Sequence, residues 1–168
     1  NLPGLPAWLS VRSFAPSRYD DGTAFVAIDG HQMNNRDPWV YRTTDFGATW
    51  KLIVSGIPKS NLSYTKVIYE DPVRRGMLYL GTETGLWVSH NRGGPWTRLK
   101  ANLPTTPIYE MKIHPRDNDL ILATHARGIW ILDDIGIIQQ WAKSEAADVV
   151  VFEPEPAMAF NAANDKMK

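Results

Sequence analysis

Five side chains in this sequence have types and settings suited to chemistry: Asp29, His31, Glu83, His125 and Arg127. They fall in three polar stretches, 29–38, 83–85 and 125–128, that interrupt β-rich sequence. Two carboxylates held about 5–9.5 Å apart can serve as acid and base on a glycosidic bond, so Asp29 and Glu83 are the candidate catalytic pair. Arg127 offers a planar fork for a substrate carboxylate. With His31 and His125 it makes up a candidate ligand-binding set. The same residues also have plainer uses. Glu83 and Arg127 can pair with each other, His125 can bond strand backbone, and Asp29 can cap its loop. No metal site is expected, because His31 and His125 lack a paired ligand spacing. No cofactor is expected either: a Gly-rich phosphate loop is missing, and so is a Ser/His/Asp set in a nucleophile context.

A repeat would bring these loops together. Thr-Thr-Asp-Phe-Gly-Ala-Thr-Trp at 43–50 and Ser-His-Asn-Arg-Gly-Gly-Pro-Trp at 89–96 share one pattern, hydroxyl–x–acid/amide–x–Gly–x–x–Trp, about 46 residues apart. A period of 40–50 residues containing four short strands is the mark of propeller blades. The flanks repeat as well. The runs 23–27, 77–82 and 119–124 are versions of one strand, each preceded by a proline turn at Pro16, Pro72 or Pro115. Asn1-Leu2-Pro3 returns as Asn102-Leu103-Pro104, with Gly56-Ile57-Pro58 as a weaker copy, and these read as connectors. The expected fold is all-β: a β-propeller fragment of about three four-stranded blades, spanning 9–55, 63–100 and 108–153.

The expected strands are 9–15, 23–29, 39–44 and 49–55 in the first blade, and 64–69, 77–82, 86–89 and 96–100 in the second. The third has 108–114, 120–124 and 129–132. Alternation places Lys66 and Ile68 opposite Val67 and Tyr69. In the third blade, Asp133-Asp134-Ile135-Gly136 stands where another Gly-x-x-Trp turn is due. It predicts a short inserted helix capped by Asp133 or Asp134, with Ile135, Ile138 and Trp141–Ala142 on its apolar face. An outer strand is expected at 148–153 and a linker at 157–168.

The octapeptides read as fold staples. Asp45 can accept backbone N–H groups within its own turn, Gly47 supplies a positive φ, and Thr43 adds a hydroxyl. Trp50 then folds back onto the sheet. Ser89, Asn91, Gly93 and Trp96 take the same parts in the second copy. Repetition argues for structure, since a catalytic group is rarely needed once per blade. Trp8, Trp39 and Trp87 are flat aromatics placed for stacking on sugar or peptide, or for packing between blades.

Composition narrows the function. Eighteen basic and 18 acidic residues cancel, which excludes a nucleic-acid partner held by phosphate neutralisation. No apolar run reaches the ~20 residues of a membrane span. The chain has no cysteine, so packing and not disulfides must stabilise it.

These turns resemble Asp-box (BNR) repeats, which occur in sialidases, xyloglucanases, sortilin/Vps10 receptors and photosystem II assembly factors. The run 70–86, Glu-Asp-Pro-Val-Arg-Arg-Gly-Met-Leu-Tyr-Leu-Gly-Thr-Glu-Thr-Gly-Leu, is similar to bacterial BNR-repeat proteins described as sortilin-like or as glycosyl hydrolases. So are 114–120 and 123–134. The resemblance covers about residues 1–156 and departs from the pattern at Asn91 and Ala126. It implies the C-terminal blades of a larger propeller, secreted or periplasmic. The function it implies is a non-catalytic module that binds protein or glycan. The alternatives are a fragment of a xyloglucanase- or sialidase-like hydrolase, or a structural filler. A sialidase needs a cluster of rim arginines, and only Arg127 is visible. Three blades cannot close a ring, so the expected partners are the remaining blades of a parent propeller or a second copy of the chain.

Overall fold

The computed structural model describes residues 2–141, 149–154 and 156. Its strands form three antiparallel meanders. Sheet one holds β1 (Ser10–Pro16), β2 (Ala24–Asp29), β3 (Trp39–Thr43) and β4 (Lys51–Leu52). Sheet two holds β5 (Thr65–Glu70), β6 (Leu78–Thr82), β7 (Gly85–Ser89) and β8 (Thr97–Leu99). Sheet three holds β9 (Ile108–Ile113), β10 (Leu120–Thr124) and β11 (Ile129–Leu132), followed by helix α1 (Gly136–Gln140).

The second strands are apolar on both faces, so each sheet must be covered on both sides. Phe25, Ala27 and Val40 of sheet one pack with Ile68, Leu80 and Trp87 of sheet two. Val67, Tyr79, Leu86 and Val88 of sheet two pack with Ile108, Met111 and Leu122 of sheet three. A third cluster, Val26, Ile28, Trp39 and Tyr41, lies on the far face of sheet one, under Leu2, Leu5, Leu9 and Trp50. Trp39 and Trp87 are therefore packing residues, whereas Trp8 is exposed. The connectors behave as repeats. Ile57 joins the first interface, Leu103 borders the second, and Leu2 borders the far-face cluster.

The two octapeptide turns superimpose in register. Arg42 pairs with Lys51 and Val88 with Thr97, which places Trp50 and Trp96 at equivalent positions. Both turns use a left-handed pair, Phe46 and Gly47 at φ 56° and 87°, Arg92 and Gly93 at 62° and 81°. The hydroxyl of Thr43 accepts the Gly47 N–H (2.9 Å), and that of Ser89 accepts the Gly93 N–H (3.1 Å). Asp45 Oδ1 accepts from the Thr43 hydroxyl and the Thr49 N–H, both at 2.8 Å. The hydroxyl of Thr49 reinforces this at Oδ2, and together with these bonds it holds the Asp45 carboxyl below the usual carboxylate range. The outer strand is shorter than the expected 49–55 at both ends, running from Lys51 to Leu52.

The tryptophans differ in one respect. The Trp96 indole N–H donates to Ile53 O on sheet one at 2.7 Å, and the ring is buried. The Trp50 indole donates to Gly47 O of its own turn at 3.1 Å, and the ring is half-buried.

Sheet three keeps an altered form of the same turn. Leu132 stands in register with Thr43 and Ser89, which puts Asp134 at the Asp45 position and Gly136 at the Gly47 position. The Ile135 N–H bonds Asn118 O as the Phe46 N–H bonds Gly22 O. Leu132 has no hydroxyl to offer, so Asp134 Oδ1 itself accepts the Gly136 N–H at 2.9 Å. The expected cap is thus Asp134, acting one residue ahead of the formal N-cap Ile135. Gln139 occupies the tryptophan position. It is buried, and its Nε2 donates to Asp71 Oδ2 on sheet two at 2.9 Å. Asp71 also accepts from Tyr79 Oη (2.9 Å) and from the Val73 and Arg74 N–H groups (2.8 and 2.7 Å). An amide thus ties sheet three to sheet two much as an indole ties sheet two to sheet one.

The expected outer strand at 148–153 does not form over its described part. Residues 149–154 lie in no strand, and Val149 and Val151 are exposed. The chain has turned into α1 instead. The Gln140 amide both donates to Glu153 O and accepts from Glu153 N, each at 3.0 Å, so that backbone pairs with a side chain and not with β11. On the helix, Ile135 and Ile138 pack as expected and Trp141 is half-exposed. Residues 142 and 148 lie outside the described residues, as does the linker at 157–168.

Trp96→Ala is expected to cost about 3–5 kcal/mol in urea unfolding, and Trp50→Ala clearly less, because Trp50 is only half-buried. Equal losses would show that the two turns carry the same load.

Candidate functional site

The site is built on a feature that all three inner strands share. Between Val11 and Ser13, and again between Thr65 and Val67, the pairing register slips by one. In sheet three, Ile108 and Glu110 face adjacent residues of β10, leaving the residue between them as the extra one. The bulged residues are therefore Arg12, Lys66 and Tyr109, at one equivalent position. A bulge bends the strand and re-aims its side chain. The strict alternation expected around Lys66 fails for this reason.

The Lys66 side chain is almost wholly buried. Its Nζ lies 3.1 Å from Asp29 Oδ2 and 3.8 Å from Glu83 Oε2. It also sits 4.6 Å from the Tyr64 ring centre and 4.9 Å from that of Tyr109. An ammonium taken out of water is tolerable with such partners: two carboxylates and two π faces. Asp29 ends β2, and its carboxylate accepts the His31 N–H at 2.9 Å and His31 Nδ1 at 2.8 Å. Arg12 Nε adds a contact at 3.7 Å. Burial pushes the Asp29 carboxyl up, but the His31 backbone and ring bonds together with Lys66 outweigh it and hold the group below its ordinary value of 3.8. Burial pushes the Tyr64 hydroxyl up, and its hydrogen bond to the Glu83 carboxylate adds to the rise.

Imidazoles flank the ammonium. His31 stacks on Tyr64 with centres 4.9 Å apart, and His125 stacks on Tyr109 at 5.4 Å. The His125 backbone N–H donates to Pro107 O at 3.0 Å. Below this mouth the inner strands line an open cleft of about 590 Å³ that includes Arg12, Arg18, Glu110 and Lys112.

The structure thus unites four of the five sequence candidates, Asp29, His31, Glu83 and His125, around Lys66. Arg127 is exposed in the β10–β11 hairpin, where its carbonyl accepts the Trp130 indole N–H at 3.0 Å. The ion-pair partner of Glu83 is Lys66, not Arg127. Sequence reasoning missed Arg12, Tyr64, Lys66 and Tyr109. One signal was available: Lys66 is a lone cation in an otherwise uncharged run, Ser63-Tyr64-Thr65-Val67-Ile68. Among the described residues no group of three or more His, Asp or Glu is placed to hold a metal ion.

No protein-family model and no curated protein matches the chain. Among solved structures, an ancestral GH74 enzyme is similar at 17% identity with a TM-score of 0.55, over 70% of this chain and 14% of that chain. YCF48 from Cyanidioschyzon merolae is similar at 16% identity with a TM-score of 0.45, over 83% of this chain and 42% of that chain. This chain therefore spans less than half the length of either. At such identities the first likeness shows the fold, a propeller-type arrangement of four-stranded antiparallel sheets, and the chain is a propeller module.

Asp29 gives a pH test. Its folded value lies below the ordinary one, so the unfolded chain binds more protons between the two. The stability it contributes is present above about pH 4 and is lost as pH falls through the folded value. The acid-side decline in the urea midpoint is expected to be shallower in Asp29→Asn than in the wild type. Parallel declines would show that Asp29 does not titrate in this window.

Proposed function

We propose that this chain is part of an Asp-box (BNR-repeat), sortilin-like propeller of an exported protein, secreted or periplasmic, and that it binds a glycan or protein without cleaving it. One observation carries the reading. The Lys66 ammonium sits between Asp29 and Glu83, where the scissile bond would lie if those two worked as an acid–base pair. Asp29 is further committed to His31 and held ionised, which does not suit a general acid. Glu83 spends its charge on Lys66 and its hydrogen-bonding capacity on Tyr64. The mouth is left with the half-buried ring of His31 and the exposed rings of Tyr109 and His125, Tyr64 being buried beneath His31, and with Arg127 two residues beyond His125. Stacked aromatics over a fixed charge suit a ligand that has flat apolar faces and hydroxyl groups, as sugars do. Among the described residues no helix is long and apolar enough to cross a membrane.

The competing reading, a xyloglucanase- or sialidase-type hydrolase fragment, draws on the two carboxylates facing one mouth and on the propeller fold shared with a GH74 enzyme. The two readings separate in one experiment. The chain is titrated calorimetrically with xyloglucan oligosaccharides and with sialyllactose, and the same mixtures are assayed for released reducing ends. Binding without cleavage is expected, weakened at least 5-fold by Tyr109→Ala and by His125→Ala. Cleavage that Glu83→Gln abolishes would overturn the proposal. Absence of both binding and cleavage would remove the glycan and leave a protein ligand.

A further inference from the structure

The three sheets are in register with one another, so each side chain can be compared with its two counterparts. Phe14, Ile68 and Met111 hold one position on the inner strands, being paired with Val26, Leu80 and Leu122. Ile68 is 2% exposed and Met111 1%, each covered by the sheet before it, while Phe14 is 60% exposed. Val11 is likewise exposed where Thr65 and Ile108 are fully buried. The opposite end shows the converse. Val40, Leu86 and Ile129 hold one position on the third strands, being paired with Ala27, Gly81 and Ala123. Val40 is 0% exposed and Leu86 2%, each covered by the sheet after it, while Ile129 is 71% exposed. Ile131, next on that face, is exposed where Val88 is buried. On sheet one, the face that sheets two and three turn toward their predecessors is covered by the N-terminal connector over Val26, Ile28, Trp39 and Tyr41, but it lacks cover along the inner strand at Val11 and Phe14. Sheet three lacks cover on the face that sheets one and two turn toward their successors.

We infer that these two faces bind each other between copies of this chain, sheet three of one molecule packing on sheet one of the next. The occupant follows from chemistry already present twice within the chain: the Val40 position of one sheet meets the Ile68 position of the next, and the Leu86 position meets the Met111 position. Phe14 and Ile129 supply the third such meeting. The contact joins unlike surfaces, so it is heterologous. Two copies supply six sheets, and such a contact closes where the rotation per sheet permits. The connector is no obstacle: Ile57 and Leu103 already lie at the two internal contacts, and Leu2 lies at the same place beside sheet one. This inference does not depend on the glycan-or-protein reading of the channel mouth.

Sedimentation velocity over a wide concentration range tests it with the whole chain. The wild type is expected to associate reversibly. Phe14→Asp and Ile129→Asp each place a charge on one of the two faces, and each alone is expected to be monomeric. Both positions are exposed within the chain, so folding should survive, and circular dichroism checks this. Mixing the two variants is expected to restore a 1:1 dimer, since one contact then joins two unaltered faces. A wild type that stays monomeric at every concentration would overturn the inference and assign the two faces to further sheets of a longer polypeptide. Association that withstands both substitutions would overturn it as well.

Discussion

A sheet that is apolar on both faces is stable in water only between two others, and every sheet of this chain is of that kind. That constraint organises the molecule. It requires the sheets to stack, front against back, and it leaves the inner strands as the one place where side chains can meet solvent from several sheets at once. It also explains why the fastening devices sit at the outer turns. Stacked sheets can slide, and the Trp96 indole on Ile53 O and the Gln139 amide on Asp71 each fix a sheet to its predecessor by a directed bond.

The parts of this plan that were legible in the sequence are those that depend on local chemistry. A hydroxyl, an acid or amide, a glycine and a tryptophan at fixed offsets specify a turn, and the strands on either side follow from their apolar runs. The third turn was hidden because its residues had been exchanged: Leu132 for the hydroxyl and Gln139 for the indole. The register of β10 with β11 and the Ile135 N–H bond to Asn118 O reveal that Asp134 and Gly136 keep their places. The outer strand at 148–153 was misjudged for a related reason. A β-rich stretch such as Val149-Val150-Val151 pairs only if the chain returns beside an open edge, and α1 carries it elsewhere.

The channel mouth shows the same division. Loop residues after the second strands were found from their polarity, and Asp29, His31, Glu83 and His125 do converge. The residue that unites them was not read as functional, because Lys66 lies mid-strand and a register slip is a matter of pairing, not of composition. Its environment is consistent electrostatically: one buried cation, two carboxylates, two tyrosine faces. Arg127 was linked to Glu83 on charge alone, and Lys66 takes that carboxylate from the strand.

The register slip has a consequence for how this protein can change. Arg12, Lys66 and Tyr109 hold one backbone position in three successive sheets, yet they are a guanidinium, an ammonium and a phenol. The neighbours on either side, Thr65 and Val67 or Ile108 and Glu110, remain paired in the ladder. Diversity at the slipped position therefore leaves the strand ladder intact, although a buried cation such as Lys66 must change together with the carboxylates that pair with it. Such a scaffold can present different side-chain chemistry from each sheet while the pairing that holds the strands stays constant.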